Sequence, residues 1–339
     1  MRNGSVLILN GDDVDSLLSG RIAEIINAVQ CAYESHAEGS SSLPHSTFLR
    51  FPDSDRNRII ALPAFLGGDR GGAGVKWVSS FPDNVSKGLA RASAVIVLNS
   101  TVTGMPEAIM EGSVISARRT AASAALAAKY LHGHLEANRV GMVGCGLISF
   151  EILRFLLAVF PGLETAYVYD LDERQSQKFK ERAVRSFNSL DVRIGRDVSS
   201  IFESAHLVAL ATTAIRPHIT ASTRIQPPST ILHISLRDLA PAVILDCDNV
   251  VDDIDHVCRA DTSVHLAEQT VGNRDFIRCT LADIMRGKAT PRIDSRSPAI
   301  FSPFGLGVLD IAVARLAYDL ANREGRGMLM DSFAPGSSF

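Results

Sequence analysis

Three polar residues, His233, Ser235 and Asp238, lie within the six-residue stretch HISLRD. The stretch follows a short apolar run that predicts a strand, and the carboxyl ends of parallel strands face the ligand cleft in open α/β sheets. Asp238 could serve there as a general acid or base, and His233 or Ser235 could contact a cofactor ribose. An aspartate that caps the next helix is an equally good interpretation of Asp238 from this stretch alone.

A glycine-rich stretch, VGCGLIS, is typical of a dinucleotide-binding turn. Gly144 and Gly146 let the backbone approach a pyrophosphate, and the helix that opens with Leu147 and Ile148 stabilises its charge. The next predicted strand ends at Asp170, where a carboxylate accepts hydrogen bonds from the adenosine ribose and disfavours a 2′-phosphate. The pattern predicts NAD as the cofactor. The alternative is an ordinary glycine turn followed by a helix-capping aspartate.

Basic residues in the N-terminal half could bind a substrate carboxylate. Arg50, Lys76 and Arg119 are the candidates. Arginine offers a bidentate fork and lysine a point charge to such a group. Taken singly, each of them could equally be a solvated surface residue.

The elements that must position these residues fall into two patterns. The N-terminal third has a helix at Arg21–Glu38 and then successive strands without intervening helices, which favours an antiparallel or mixed sheet. Strands and helices alternate from Arg139 onward, as in a doubly wound parallel sheet. An amphipathic helix at Val308–Arg323 lies outside that alternation, so we expect it to pack on the N-terminal domain. The predicted domains are 1–130 with 305–325, a Rossmann domain at 131–304, and a mobile tail at 326–339.

Composition narrows the class of protein. The chain has 339 residues, 46% of them hydrophobic, and a formal net charge of -3, which gives no basic surface for nucleic acid. It shows no signal peptide and no apolar run long enough for a membrane helix, so a cytoplasmic location is expected. Five cysteines without CxxC spacing predict free thiols and no disulfide framework. His132 and His134 lack further ligands at metal spacing, so loop histidines and no metal site are expected.

Several motifs together resemble one family. In chain order they are GVKWVSSFPDN, RTAAS, GCG, ISLRDL and FSPFGLGVLD. This set resembles the ornithine cyclodeaminase/mu-crystallin family over roughly residues 5–325. The resemblance implies an α/β fold with a Rossmann domain and a discontinuous α+β domain for substrate binding and dimerisation. It also implies a homodimer.

The resemblance assigns roles to residues by position. Lys76 would bind the substrate carboxylate and take part in catalysis, and Asp238 would be the acid/base. Arg119 would contact substrate or cofactor, and Asp170 would bind the ribose. Thr212 and Ser302 would lie in the cofactor cleft.

The stretch before Lys76 departs from ornithine cyclodeaminases. Those enzymes carry an acid before the proline of the preceding strand, suited to a substrate ammonium, whereas this chain has Ile59-Ile60-Ala61-Leu62-Pro63. The stretches HISLRDLAP, IIALPAFLGG and FSPFGLG instead resemble the subgroup that makes 2,3-diaminopropionate for siderophores and peptide antibiotics. The implied reaction is NAD-dependent oxidation and hydrolysis of N-(2-amino-2-carboxyethyl)-L-glutamate to 2,3-diaminopropionate, 2-oxoglutarate and NADH. The several carboxylates of that substrate suit four basic residues, which are Arg50, Lys76, Arg91 and Arg119.

Three alternatives remain open at this point. They are ornithine cyclodeamination, a ketimine reductase that consumes NADH, and a crystallin-like protein that binds NAD(P)H without turnover. The presence of Lys76, Arg119 and Asp238 together argues against the last of these.

Overall fold

The computed structural model describes residues 4–68, 71–133, 135, 137–294 and 296–333. The chain divides into two compact units. The first unit comprises Met1–Arg119 and Leu306–Phe339, and the second comprises Thr120–Gly305.

The described residues contain sixteen strands, eleven α-helices and a short 3₁₀ helix at Pro82–Lys87. Up to the third helix they are β1 (Val6–Leu9), α1 (Gly11–Leu18), α2 (Ile22–Ala37), β2 (Ser41–Ser42), β3 (Thr47–Phe51), β4 (Ser54–Leu66), β5 (Gly72–Ser80), β6 (Ala92–Asn99), β7 (Pro106–Glu111) and α3 (Ser113–His132). The remaining elements are β8 (Arg139–Val143), α4 (Leu147–Val159), β9 (Thr165–Tyr169), α5 (Glu173–Ser186), β10 (Asp191–Ile194), α6 (Val198–Ser204), β11 (Leu207–Leu210), β12 (Thr230–His233), α7 (Pro241–Leu245), β13 (Asp248–Val251), α8 (Ile254–Val257), α9 (Ser263–Val271), β14 (Ile277–Thr280), α10 (Leu281–Met285), β15 (Ala299–Ser302), α11 (Gly307–Glu324) and β16 (Met328–Met330).

The first unit is a mixed sheet with helices on one face. Its strand order is β16-β1-β7-β6-β5-β4-β2, with β3 paired to β4, and only the β1–β7 pair is parallel. Helix α11 packs on α2 and on β4 and β5, as expected for an apolar helix outside the Rossmann alternation. A Cβ atom at Gly74 would lie 2.1 Å from the Val97 carbonyl oxygen and 3.1 Å from Ile311 Cδ1. Only glycine therefore fits at this point of β5, between β6 and α11.

The C-terminal stretch differs from the predicted mobile tail. Residues Met328–Met330 form β16, which pairs antiparallel with β1. The residues of this stretch do not alternate between polar and apolar, so the sequence does not predict a strand. The strand forms because β1 supplies backbone hydrogen-bonding groups that need partners. Residues 334–339 of the predicted tail lie outside the described residues.

The second unit is a parallel sheet of eight strands, and it confirms the predicted Rossmann fold class. The strand order is β10-β9-β8-β11-β12-β15-β13-β14. The chain adds strands on one side of β8 and then on the other, so the point at which the order reverses lies beside β8. Strands β8, β11, β12 and β15 are almost entirely buried, which is typical of a sheet covered on both faces. Ligands bind in such folds at the carboxyl ends of the strands near this reversal.

His132 differs from the predicted loop histidine. It is the last residue of α3, is buried, and its Nδ1 lies 3.0 Å from Thr230 Oγ1. Helix α3 continues to this position because its alanine-rich stretch is favourable for helix and packs closely. His134 lies outside the described residues. In the described part of the chain, no group of three His, Cys, Asp or Glu side chains could hold a metal ion.

Among the described residues, no helix combines the length and the apolar character required to cross a membrane.

Candidate active site

The turn after β8 has a conformation that requires glycine. Gly144 has φ of +87°, and a Cβ atom there would lie 2.6 Å from the carbonyl oxygen of Ala211. Its N–H donates to the Tyr169 carbonyl at 2.8 Å. The turn is therefore held between β9 and the end of β11, and a side chain at Gly144 would collide with the backbone of Ala211.

The start of α4 offers an open site for a phosphate group. Gly146 is the N-cap of α4, has no side-chain cap, and a Cβ atom there would meet nothing within 4 Å. Leu147, the first helical residue, is exposed although it is apolar. Backbone N–H groups at a helix N-terminus and the helix dipole favour a bound anion. The space beside Gly146 thus fits the pyrophosphate of a dinucleotide, which the first turn of α4, including Leu147 and Ile148, would hold.

Asp170 lies beside this turn, at the end of β9. Its Oδ2 accepts a hydrogen bond from the Cys145 N–H at 2.8 Å, and its Oδ1 accepts one from the Asp172 N–H at 3.0 Å. The backbone N–H of Asp170 donates to Ser176 Oγ at 2.9 Å, so the residue is fixed through both backbone and side chain. The carboxylate is half-exposed and keeps lone pairs for ribose hydroxyls. This geometry suits NAD.

Asp238 is a completely buried carboxylate with several donors around it. Thr212 Oγ1 donates to Oδ1, and His218 Nε2 lies 2.9 Å from the same oxygen. Ser235 Oγ donates to Oδ2. Burial alone would raise the pKa of Asp238, but the hydrogen bonds from His218 and Ser235 and the adjacent His233 ring outweigh it and hold the pKa well below its usual range. The carboxylate is ionised at neutral pH.

His233 and Ser302 lie next to this carboxylate. His233 Nδ1 is 3.1 Å from Ser302 Oγ, and His233 Nε2 accepts from the Asp238 backbone N–H at 3.3 Å. Both side chains are buried. The structure thus brings together four of the predicted cofactor-cleft residues, Thr212, His233, Ser235 and Ser302, around Asp238.

A buried ion cluster lies in the first unit. Lys76 on β5 is 2.7 Å from Asp310 Oδ2, and Arg119 Nε on α3 is 3.0 Å from Asp310 Oδ1. Lys76 Nζ also donates to Ser116 Oγ at 3.1 Å. Asp310, on the first turn of α11, is fully buried, and Lys76 is almost fully so. Burial lowers the pKa of Lys76 to about 8. The negative charge of Asp310 opposes this shift, and the positive charge of Arg119 adds to it.

Two cations share one carboxylate in this cluster, so a positive charge is left over while Lys76 is protonated. A buried excess charge is costly unless a counter-charge pairs with it. A substrate carboxylate is such a counter-charge. The residues beside Lys76 in the sheet are Leu62 on β4 and Ile96 on β6, and neither offers an acid to a substrate ammonium.

Sequence reasoning missed Asp310 and His218. Asp310 is the acid in the otherwise apolar stretch FGLGVLDIAVA, where a charged residue on a buried helix face signals a partner. His218 follows Pro217 in an irregular segment with no periodic pattern. The sequence therefore contained a usable signal for Asp310 and none for His218.

Arg50 and Arg91 lie apart from the cluster. Arg50 is exposed on β3, with its guanidinium carbon 5.7 Å from the centre of the Phe48 ring. Arg91 is exposed and donates to Ser80 Oγ at 3.3 Å. Among the described residues, neither makes a hydrogen bond or ion pair with Lys76, Arg119 or Asp310 that would join it to the cluster. Their predicted substrate contacts remain predictions.

The chain is similar to known proteins over nearly its whole length. The model of the ornithine cyclodeaminase/mu-crystallin family matches residues 7–325. A curated relative, N-((2S)-2-amino-2-carboxyethyl)-L-glutamate dehydrogenase of Staphylococcus aureus, is 28% identical, with 98% of this chain and 100% of the relative covered.

Two solved structures have the same fold over nearly the whole chain. The Delta(1)-pyrroline-2-carboxylate reductase of Thermococcus litoralis, in complex with NADH and L-proline, has a TM-score of 0.88 and 27% identity, covering 95% of this chain and 99% of the other. An archaeal alanine dehydrogenase dimer with bound NAD has a TM-score of 0.84 and 26% identity, covering 96% of this chain and 99% of the other. These similarities, with the NAD-binding geometry of the second unit, identify an NAD-dependent enzyme of the amino-acid dehydrogenase type.

Because the family model accounts for nearly the whole length, the chain belongs to the ornithine cyclodeaminase/mu-crystallin family.

Proposed function

We propose that the chain oxidises N-(2-amino-2-carboxyethyl)-L-glutamate with NAD⁺ and hydrolyses the product imine to 2,3-diaminopropionate and 2-oxoglutarate. The observation that carries the proposal is the buried cluster of Lys76, Arg119 and Asp310, with its excess positive charge. Apolar neighbours surround Lys76 in the sheet, so the cluster suits a carboxylate-rich substrate better than one with a second ammonium. Similarity to the dehydrogenase of Staphylococcus aureus over the full chain supports the same substrate. The product would supply siderophore or peptide-antibiotic biosynthesis.

The proposed roles follow the two groups of residues. Lys76 and Arg119 bind a substrate carboxylate, the former as a point charge and the latter as a planar donor. Gly144, Gly146 and Asp170 hold the pyrophosphate and ribose of the cofactor. When bound, NAD⁺ accepts the hydride from the glutamyl Cα.

Hydrolysis of the imine requires a proton acceptor and a proton donor. Water must lose a proton as its oxygen bonds to the imine carbon, and the departing amine must gain protons. The cluster around Asp238 is the acid/base centre of this proposal, because it holds an ionised carboxylate against two histidines in the second unit.

The test is an assay of the purified chain with NAD⁺ and a panel of amino acids. The panel holds the proposed substrate, L-alanine, L-ornithine and L-proline. We expect rising absorbance of NADH with the first compound, and 2-oxoglutarate and 2,3-diaminopropionate identified by mass. Release of ammonia and proline from ornithine without net NADH, or oxidation of alanine or proline alone, would overturn the proposal.

We also propose that the chain is a homodimer, joined through the outer face of the sheet in the first unit. Residues of β5 alternate between the two faces, and Gly74 and Lys76 point to α11. The opposite face carries a continuous set of apolar residues in register across three strands, which are Ala61, Pro63, Phe65, Ala73, Val75, Trp77, Val95 and Val97. Phe65 and Trp77 remain 41% and 40% exposed. Apolar patches of this kind are typical of protein interfaces.

A second copy of the chain is the proposed occupant of this face, as the alanine dehydrogenase relative is a dimer. Trp77→Glu should convert the dimer to monomer in sedimentation equilibrium. Val184→Glu, which changes an exposed apolar residue of α5, is the matched control and should leave the mass unchanged. A wild-type monomer, or a dimer that persists in Trp77→Glu, would contradict this interface.

A further inference from the structure

Asp238 is buried away from solvent, and three side-chain donors surround its carboxylate. Its side chain is fully buried, and Thr212, His218 and Ser235 occupy its two oxygens. Burial would raise the pKa of Asp238, but interactions with His218, His233 and Ser235 outweigh this effect and hold the pKa well below its usual range. A carboxylate in this state is a weak base, and its burial separates it from solvent water.

His218 is the member of the cluster that reaches solvent. Its side chain is 38% exposed, whereas the side chains of Asp238 and His233 are 0% and 1% exposed. An ionised carboxylate can only accept, so the Nε2 of His218, 2.9 Å from Oδ1, carries the hydrogen of that bond. In the neutral ring this leaves Nδ1 with a free lone pair. In the described part of the chain, no hydrogen bond of the Nδ1 atom is found.

The backbone also fixes His218 against Asp238. The N–H groups of His218 and Ile219 both donate to the Asp238 carbonyl, at 3.0 and 2.9 Å. Both the His218 ring and the main chain of its segment therefore form hydrogen bonds with Asp238. An imidazole that is oriented by a buried carboxylate and open on its other nitrogen has the geometry of a general acid/base.

We propose that His218 is the catalytic residue that exchanges protons with the reacting water and amine, and that Asp238 is its positioning residue. This inference rests on the proposed function, because it assigns the proton transfers of the imine hydrolysis. It goes beyond that function by moving the acid/base role from a buried carboxylate to an exposed ring.

The proton transfers balance through one nitrogen. Nδ1 of His218 takes a proton from water as the oxygen bonds to the imine carbon and the electron pair of the C=N bond moves to nitrogen. The imidazolium returns this proton to the nitrogen. The hydroxyl proton then passes to Nδ1 as the carbonyl forms, the C–N bond breaks with its electron pair on nitrogen, and the ring protonates the departing amine.

The first test separates proton transfer from positioning. His218→Gln places an amide nitrogen near the position of Nε2, so it can still donate to Asp238 but cannot take up a proton. We expect unchanged NADH binding, measured by fluorescence, and turnover reduced by about 10²–10⁴-fold. Exogenous imidazole should restore part of the turnover of His218→Ala, which a merely structural role would not allow. His206→Gln, an exposed histidine just before β11, is the matched control and should retain full turnover.

The second test needs no substrate. Nitrogen NMR of ¹⁵N-histidine-labelled protein should show His218 as the Nε2–H tautomer, assigned by its loss in His218→Gln. In Asp238→Asn the new amide can donate to Nε2, so the ring should change to the Nδ1–H tautomer while NADH binding persists. This variant should lose turnover to a similar extent, because its Nδ1 can no longer accept a proton.

The outcomes distinguish the two proposals. If the wild type does not oxidise the proposed substrate, the proposed function fails, and the His218 variants are compared on whichever panel compound it does oxidise. Full turnover in His218→Gln on a compound that the wild type oxidises overturns the role of His218. An Nδ1–H tautomer in the wild type, or a ring that does not respond to Asp238→Asn, overturns it independently of any substrate.

Discussion

Lys76 Nζ and Asp310 Oδ2 lie 2.7 Å apart in the interior of the first unit, on a strand and a helix that are far separated in sequence. Asp310 also pairs with Arg119, so one carboxylate fixes both cations that the proposed function assigns to the substrate. The geometry of the two proposed substrate-binding cations therefore depends on the carboxylate of Asp310.

Removal of the Asp310 charge should destabilise the fold. Asp310→Asn leaves Lys76 and Arg119 buried without a counter-charge, and breaking a buried pair in this way typically costs about 3–5 kcal/mol. Urea unfolding measures this loss. Asp319→Asn, on the exposed side of α11, removes only a surface pair with Arg315 and should change the free energy of unfolding by no more than about 0.5 kcal/mol. Equal effects of the two substitutions would show that the buried cluster does not stabilise the unit.

Substrate binding should weaken as pH rises through the pKa of Lys76. Burial lowers that pKa to about 8, and the proposed carboxylate contact requires the protonated amine. The KM should therefore rise above pH 8, approaching about tenfold per pH unit. Lys76→Arg keeps its charge across this range, so its KM should stay flat. An identical rise of the KM in wild type and Lys76→Arg would show that Lys76 does not bind the substrate carboxylate.

The same pKa fixes the sign of a stability change. Between the folded value of about 8 and the ordinary value of 10.5, the unfolded chain binds more protons at Lys76 than the folded chain does. This residue therefore makes folding more favourable as pH rises through that window. The unfolding free energy of the wild type minus that of Lys76→Met should increase with pH over the same range. A decrease would contradict the lowered pKa.

Asp170 should control the preference for NAD over NADP. Asp170→Ala removes a carboxylate that can bind the ribose hydroxyls, and hydrogen bonds to charged groups contribute about 1.5–3 kcal/mol. The KM for NAD⁺ should rise by about tenfold to a hundredfold, and the discrimination against NADP⁺ should fall. Steady-state kinetics with both cofactors measure this. Asp191→Ala, at the exposed start of β10, is the control, and equal behaviour of the two variants would show that Asp170 does not contact the ribose.

Asp252 should give the protein a pH-dependent loss of stability. This buried carboxylate accepts from the N–H groups of Phe304 at 2.9 Å and Gly305 at 2.7 Å. Burial raises its pKa from 3.8 to about 6, although the backbone bonds oppose the shift. Within that window the folded chain binds more protons, so stability falls as pH rises, by up to about 3 kcal/mol for this shift.

The difference in unfolding free energy between wild type and Asp252→Asn isolates this effect. It should decrease from about pH 4 to about pH 6. Asp294→Asn serves as control, since backbone hydrogen bonds from Ser297 and Arg296 lower the pKa of Asp294 and place its titration below the window. A constant difference between wild type and Asp252→Asn would show that Asp252 titrates normally.

The cofactor site could be predicted from the sequence because its parts are local. Gly144 and Gly146 form one turn, and Asp170 ends the next strand, so the order of elements alone brings them together. The sequence also predicted successive strands in the N-terminal third, and such strands form most of the sheet in the first unit. Strand β16, in the predicted tail, was not predicted because it has only three residues and depends on pairing with β1.

The contacts of the proposed acid/base centre could not be predicted in the same way. Thr212, His218 and Asp238 come from three separate segments, and their distances depend on how loops fold at the ends of β11 and β12. The sequence predicted Asp238 as the acid/base. It could not show that Asp238 is closed off from solvent while His218 is open, because exposure is a property of packing.

The first unit is built from both ends of the chain, with residues up to Arg119 and from Leu306 onward. During synthesis, β5 leaves the ribosome long before α11. The ion pair between Lys76 and Asp310 therefore cannot form until the whole second unit has been made. The second unit is continuous in sequence and can complete its sheet first, since domains generally fold as units. The part of the molecule that is synthesised first is therefore the part that finishes folding last, and a nascent chain stalled before α11 would expose an unfinished sheet edge and face to chaperones and proteases.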